Sequence, residues 1–188
     1  MWWRRMLIGL LVVVAAIYTF NASWLAPEPQ GGIKLIAHRG LHQNFDLSGV
    51  KSDTCTASRI CEPIVPEIEN TLPAMQAAFA AGAEVVELDV HPTTDGHFAV
   101  FHDWTLDCRT EGTGETRSHD LAYLKTLDVG YGYTADGGKT FPLRGTGVGM
   151  LPSLEDVLSA MPDKHFIINF KSNEAREGDM LGDFVAAH

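Results

Sequence analysis

Between Ile33 and Lys171, short β-branched runs alternate with capped helical segments, and this alternation is the strongest constraint on the fold. "IKLIAH" is a strand ending at His38 and bounded by Gly40. "NTLPAMQAAFAAGA" reads as an amphipathic helix, with Thr71 as N-cap, Pro73 in the first turn and Gly82 at the stop. "EVVELDV" is a strand that Asp95-Gly96 turns towards "HFAVFHD". A short helix at "LAYLKTLD", a Gly-rich stretch from Gly130 to Gly149 and a Ser153-capped helix at "SLEDVLSAM" follow. "HFIINF" is a further strand, and the last residues begin a helix. Strands alternating with helices pair in parallel through right-handed crossovers, so the predicted class is α/β. Polar residues at strand C-termini then face the rim of a barrel or the crevice of an open sheet. His38, Glu87 with Asp89, His102 and Asn169-Phe170-Lys171 all stand at or near such ends.

The first residues form a separate object. Arg4 and Arg5 precede an apolar run from Met6, and no further Lys or Arg occurs until Lys34. Extended to Leu25, the run reaches the roughly 20 residues a membrane span needs. Trp2, Trp3 and Trp24 would occupy the two interfacial belts. The expected organisation is a membrane anchor or signal sequence over 1–26, a linker over 27–32 and a partial α/β domain over 33–188. An uncleaved anchor is favoured, because Asn21 and Trp24 flank the only small residues near a cleavage position. Positive-inside asymmetry sends the domain to the outer, periplasmic side; secretion after cleavage is the alternative. In that compartment Cys55 and Cys61 are expected to pair, with Cys108 left over. The net charge of −10 argues against nucleic acid as a partner, since phosphate backbones are held by clustered Lys and Arg.

The chemistry concentrates in "VVELDVHPTTDGHFAVFHD". Residues two apart on a strand share a face, so Glu87 and Asp89 point together. Two converging carboxylates repel, and one takes a proton unless a cation stands between them. Mg²⁺ or Ca²⁺ suits such a site because both prefer oxygen ligands; a solvated or Arg-paired carboxylate pair is the plainer reading. His38 and His102 supply an acid and a base near neutral pH. Arg39 and Lys171 supply cations for an anionic group such as a phosphate. His42, His91 and His97 read as surface residues.

With these residues in place, the chain resembles the glycerophosphodiester phosphodiesterases. "IAHRG" looks like their opening strand end, and "EIENTLPAMQAAFAAGAEVVELDVHPTTDGHFAVFHDWTLDCRTEGTG" is similar to their central signature. "LPSLEDVL" and "IINFK" resemble the next helix and strand, so the likeness covers about Ile33 to Lys171. It implies a (β/α)8 TIM-barrel-type fold and Ca²⁺- or Mg²⁺-dependent hydrolysis of glycerophosphodiesters to an alcohol and sn-glycerol 3-phosphate. By the same resemblance His38 and His102 are the catalytic pair, and Arg39 and Lys171 contact the phosphate. Glu87 and Asp89 are metal ligands, Glu69 of "IENT" is an acid at the metal site, and Asn169 stands where the family usually has a further acidic ligand.

Asn169 can ligate through its amide oxygen but brings no charge, so weaker metal binding is expected. Only about four βα units fit after the anchor, against the eight of a barrel. A truncated product, a homo-oligomer that completes the barrel, and a chain unstable alone are the outcomes this length leaves open. A lysophospholipase D-like lipid hydrolase and an inactive, binding relative are the competing functions.

Overall fold

The computed structural model describes residues 2–26, 31–51 and 54–187, which form two compact units, Met1–Ile33 and Lys34–His188. Most of the linker expected at 27–32 lies outside the described residues. In the first unit α1 (Trp2–Phe20) is a 19-residue helix with no buried residue. At 1.5 Å per residue it is about 28 Å long, close to the thickness of a bilayer core. The apolar run does not continue as helix to Leu25. Asn21 Nδ2 bonds the Ile17 carbonyl at 2.8 Å, and a 3-10 turn over Ser23–Leu25 follows. Among the described residues α1 is the one helix long and apolar enough to cross a membrane, a test that a signal sequence also passes.

The second unit is built around β2 (Val85–Pro92). β1 (Ile36–His38) pairs with it in parallel, matching His38 to Glu87. β4 (His165–Phe170) pairs in parallel on the other edge, matching Asp89 to Asn169. The strand at "HFAVFHD" does not extend the parallel set. β3 (Phe98–Val100) returns antiparallel against Val90–Pro92, because the tight turn at Asp95-Gly96 is too short for a crossover to a parallel strand. Val90 pairs with both Val100 and Phe170, so β3 occupies the same edge of β2 as β1. Among the described residues three strands are therefore parallel, fewer than four βα units would give.

The period-2 alternation sorts this sheet into two faces. Val86, Leu88 and Val90 pack with Met75 and Ala78 of α2 (Leu72–Ala80) and with Leu154 and Val157 of α4 (Leu154–Ala160). Phe166, Ile168 and Phe170 of β4 and residues of α5 (Ala175–Ala187) join that core. The opposite face carries His38, Glu87, Asp89 and Asn169. Both expected caps form: Thr71 Oγ1 accepts from Ala74 N, and Ser153 and Asp156 make a capping box. A second core lies under the loops that follow β3. Leu106, Leu127, Val129, Tyr133 and Leu143 close on Ile60 and Ile68, with α3 (Leu121–Leu124) contributing Leu124.

The disulfide joins Cys55 to Cys108, not to Cys61 as expected, and Cys61 is free. The reason is local. A bridge between Phe45 and Ile60 and a bond from Cys61 N to the Asn44 carbonyl fix Cys61 on a different path. Meanwhile Cys55 and Cys108 approach to 5.7 Å between Cα atoms. Nearness in sequence did not make the two loop thiols neighbours. Peptide mapping without reductant should recover a Cys55–Cys108 cross-link and an alkylatable Cys61. Cys108→Ser should lower stability by about 2–4 kcal/mol in denaturant titrations. A Cys55–Cys61 peptide would contradict the fold described here.

Candidate active site

The site forms where β1 ends and the chain reverses onto α2. Arg39 adopts φ 59° and Gly40 φ 80°. A Cβ on Gly40 would stand 2.7 Å from the Ala74 carbonyl carbon, so glycine alone permits this crossing. Bonds from Arg39 N to the Glu87 carbonyl (2.8 Å) and from Asn70 N to the Arg39 carbonyl (3.0 Å) lock the reversal. The Arg39 side chain thereby reaches two acids at once. Its Nη1 bonds Glu69 Oε1 at 2.9 Å, and its Nε lies 3.1 Å from Asp89 Oδ2, an ion pair without hydrogen-bond alignment.

Asp89 is fully buried and heavily partnered. Asn70, itself at φ 58°, donates Nδ2 to Asp89 Oδ2 at 3.0 Å and accepts the Asp89 backbone N–H at 3.2 Å. Asn169 Nδ2 and Lys171 Nζ reach Asp89 Oδ1 at 3.0 and 3.3 Å. Burial would raise the Asp89 pKa, but Arg39, the Asn70 hydrogen bond and Lys171 outweigh it and hold the carboxyl below its ordinary value. Glu87 is pushed the other way, upward, by burial and then by the Asp89 charge. Its Oε2 is buried without a hydrogen-bond partner, 4.0 Å from His38 Nε2. The His38 side chain is 59% exposed. Its pKa is lowered by partial burial and by the adjacent Arg39 charge.

A second group of charges was not singled out from the sequence. Arg109 is 2% exposed and spends its guanidinium on four partners. It donates Nε to Asp103 Oδ2 (2.9 Å), Nη1 to the Tyr133 hydroxyl (2.6 Å) and Nη2 to Thr56 Oγ1 (2.7 Å). Its Nη1 also lies 3.2 Å from Glu69 Oε2. Burial would raise Glu69, yet Arg109 and Arg39 hold it ionised, with one oxygen turned to each. Asp103 is likewise held down, to about 2, as Arg109 and the His102 hydrogen bond overcome its burial. Asp103 Oδ1 meets His102 Nδ1 at 2.5 Å, which leaves the His102 Nε2 for chemistry. An unbroken run of charges, Asp89–Arg39–Glu69–Arg109–Asp103, ending on the His102 ring, thus joins the sheet to the loop after β3. The only hint in sequence is that Asp103 and Arg109 flank "WTLDC" just beyond His102.

His91 is fully buried, contrary to the surface position expected for it. It points to the site face two residues after Asp89 and sits edge-on to Trp104 at 5.6 Å. Burial lowers its pKa to about 4, so it is neutral at physiological pH. The expected site residues otherwise converge on one face, with His102, Asp103 and Lys171 lining a common cavity.

Among the described residues no group of three or more His, Cys, Asp and Glu side chains stands ready to enclose a metal ion. The donors that fit one are fewer: the unpartnered Glu87 Oε2, Asp89 and the Asn169 amide. This set is all oxygen once the Asn169 amide is turned over, and it suits a hard divalent cation.

Residues 38–181 match the model of the Glycerophosphoryl diester phosphodiesterase family. The chain belongs to that family. A glycerophosphodiester phosphodiesterase of Caldanaerobacter subterraneus subsp. tengcongensis is 36% identical over 103 residues, 55% of this chain and 39% of that one. One of Bacillus altitudinis is 29% identical over 139 residues, 73% of this chain and 44% of that one. Among solved structures, the glycerophosphodiester phosphodiesterase of Agrobacterium tumefaciens superposes with a TM-score of 0.54 at 26% identity, over 81% of this chain and 53% of that one. A phosphodiesterase of Oleispira antarctica, solved with sn-glycerol-3-phosphate as product, gives 0.53 at 25% identity over 82% and 51%. The chain spans about half the length of these solved relatives and less than half of the two curated ones. The expected family and its barrel-type α/β fold are thus found, over the part of the barrel that this chain covers.

Within this family member, Arg109 balances Glu69 and Asp103 at once. Arg109→Ala should destabilise by about 3–5 kcal/mol in denaturant titrations, because it leaves buried carboxylates unpaired. Asp103 has a depressed folded pKa, so its contribution is complete above the ordinary carboxylate range and fades as pH falls towards about 2. It is worth about 2 kcal/mol. The stability–pH curve should fall between about pH 4 and 2, and Asp103→Asn should flatten that fall.

Proposed function

We propose that this protein hydrolyses glycerophosphodiesters to sn-glycerol 3-phosphate and an alcohol, with a divalent cation held by Glu87, Asp89 and Asn169. The carrying observation is the buried Glu87 Oε2, which has no hydrogen-bond partner beside the ionised Asp89. A bound cation would satisfy that oxygen, polarise the phosphoryl group and offset its charge. Lys171 and the outer N–H groups of Arg39 hold the phosphate oxygens. Glu69 supports them indirectly, as the acid that fixes Arg39. His102, oriented by Asp103, gives its Nε2 proton to the departing alcohol oxygen as the P–O bond breaks. His38, on the β1 side and more exposed, takes the proton of the glycerol 2-hydroxyl as that oxygen bonds phosphorus. Water then opens the resulting cyclic phosphate to sn-glycerol 3-phosphate while the two histidines reverse their proton transfers.

The test is divalent-dependent release of sn-glycerol 3-phosphate by the full chain. His102→Ala should cut kcat by about 10²–10⁴-fold while metal affinity stays within a factor of a few. Asn169→Asp should tighten metal binding in calorimetry, as it adds a charged ligand. A folded protein that binds metal and turns over no glycerophosphodiester would favour the inactive-relative reading. Preference for lysophosphatidylcholine over glycerophosphocholine would favour the lipid-hydrolase reading.

The N-terminal helix is proposed as an uncleaved anchor, with 33–188 on the outer side of the membrane. A reporter active only in the cytoplasm, fused after His188, should be silent. Activity of that reporter would reverse the topology.

A further inference from the structure

A cavity of about 370 Å³ opens beside His102 and Lys171, within the size range of small-ligand sites. Trp104, Phe170 and the Cys55–Cys108 disulfide form its walls. The disulfide is therefore part of the site, since it holds the loop at Cys55 against the loop that follows His102. Its position fits a group leaving from a phosphate held at Lys171 and protonated by His102. We propose that this cavity is the subsite for the alcohol half of the diester, and that it takes an uncharged, hydroxyl-bearing alcohol. The proposal rests on the phosphodiesterase reading above.

Three features set that preference. Trp104 is 44% exposed and presents apolar surface, but Arg117 lies over its ring at 4.7 Å. Arg117 is anchored there by Glu174 and Glu177 of the α5 region, each at 3.0 Å, so the ring already carries one cation, which weakens its attraction for a cationic head group. Among the described residues the only acid lining the cavity is Asp103, whose oxygens are committed to His102 and Arg109. With Lys171 also on the lining, no described lining residue compensates a quaternary ammonium. Thr105 and Thr54, by contrast, are lining residues of a type whose hydroxyl can bond an alcohol's own hydroxyls.

The experiment compares kcat/KM of the full chain for glycerophosphoglycerol and glycerophosphocholine, which share glycerol phosphate and differ in the alcohol. Wild type should favour the glycerol ester by about tenfold or more, a size typical of one pocket contact. Trp104→Ala should bring the ratio near unity through KM, and Trp104→Phe should keep it. A wild-type preference for choline, or a ratio that Trp104→Ala leaves unchanged, overturns the proposal. A second readout does not need turnover, because the other tryptophans are Trp2, Trp3 and Trp24 of the N-terminal unit. With those three changed to Phe, emission reports Trp104 alone. Glycerophosphoglycerol should shift that emission at lower concentration than glycerophosphocholine, while sn-glycerol 3-phosphate, which lacks the second alcohol, should leave it unmoved. This pattern in a protein that hydrolyses neither diester would reject the hydrolase reading and retain the subsite. No shift, or the same shift with all three compounds, rejects the subsite.

Discussion

Arg109 is the interaction on which the site geometry depends. A guanidinium with 2% exposure is costly to bury, and it is tolerated because Asp103 and Glu69 approach it from two sides. Each of these acids then orients a second basic group: Asp103 the His102 ring, Glu69 the Arg39 guanidinium. Arg39 in turn faces Asp89. One buried cation therefore positions groups from the β1 end, the β2 strand and the loop after β3. In a low-dielectric setting such a run of alternating charges tolerates few other arrangements, because moving one member strands its neighbours.

The sheet supplies the other half of the geometry, through register. Parallel pairing places His38 beside Glu87 on one edge of β2 and Asn169 beside Asp89 on the other. The same alternation sends Val86, Leu88 and Val90 to the opposite face, where α2 and α4 cover them. Core formation thus fixes which way Glu87 and Asp89 point. A slip of one residue in β2 would bury both acids under the helices and expose the valines, so site and fold are specified by one pattern.

This explains what could be read from sequence. The period-2 pattern of "EVVELDV", the cap at Thr71 and the acids two apart are local signals, and the structure keeps them. The roles of Asp103 and Arg109 are not local. Arg109 gains its meaning from Glu69, Tyr133 and Thr56, all more than 20 residues away, and no propensity or spacing rule reports such contacts. The disulfide illustrates the same limit, since Cys55 passes over Cys61 for a partner 53 residues away. His91 looks solvated in sequence because it stands on the polar face of a strand, and only the Trp104 loop laid across it buries the ring.

Asn169 is best understood from the charges around it. It stands directly across the sheet from Asp89 and donates a hydrogen bond at 3.0 Å to an oxygen that also receives Lys171. A carboxylate at this position would be a third acid beside Asp89 and Glu87, and Glu87 is already pushed upward by burial and by the Asp89 charge. Without an ion, that third charge would raise the carboxyl pKa values further or move Lys171 off Asp89. The amide avoids both, and it keeps Asp89 Oδ1 hydrogen-bonded. In the proposed metal site the same amide would bring no charge to the donor set. On the proposed reading Asn169 would steady the hydrogen-bonded arrangement around Asp89 at the expense of affinity for a cation.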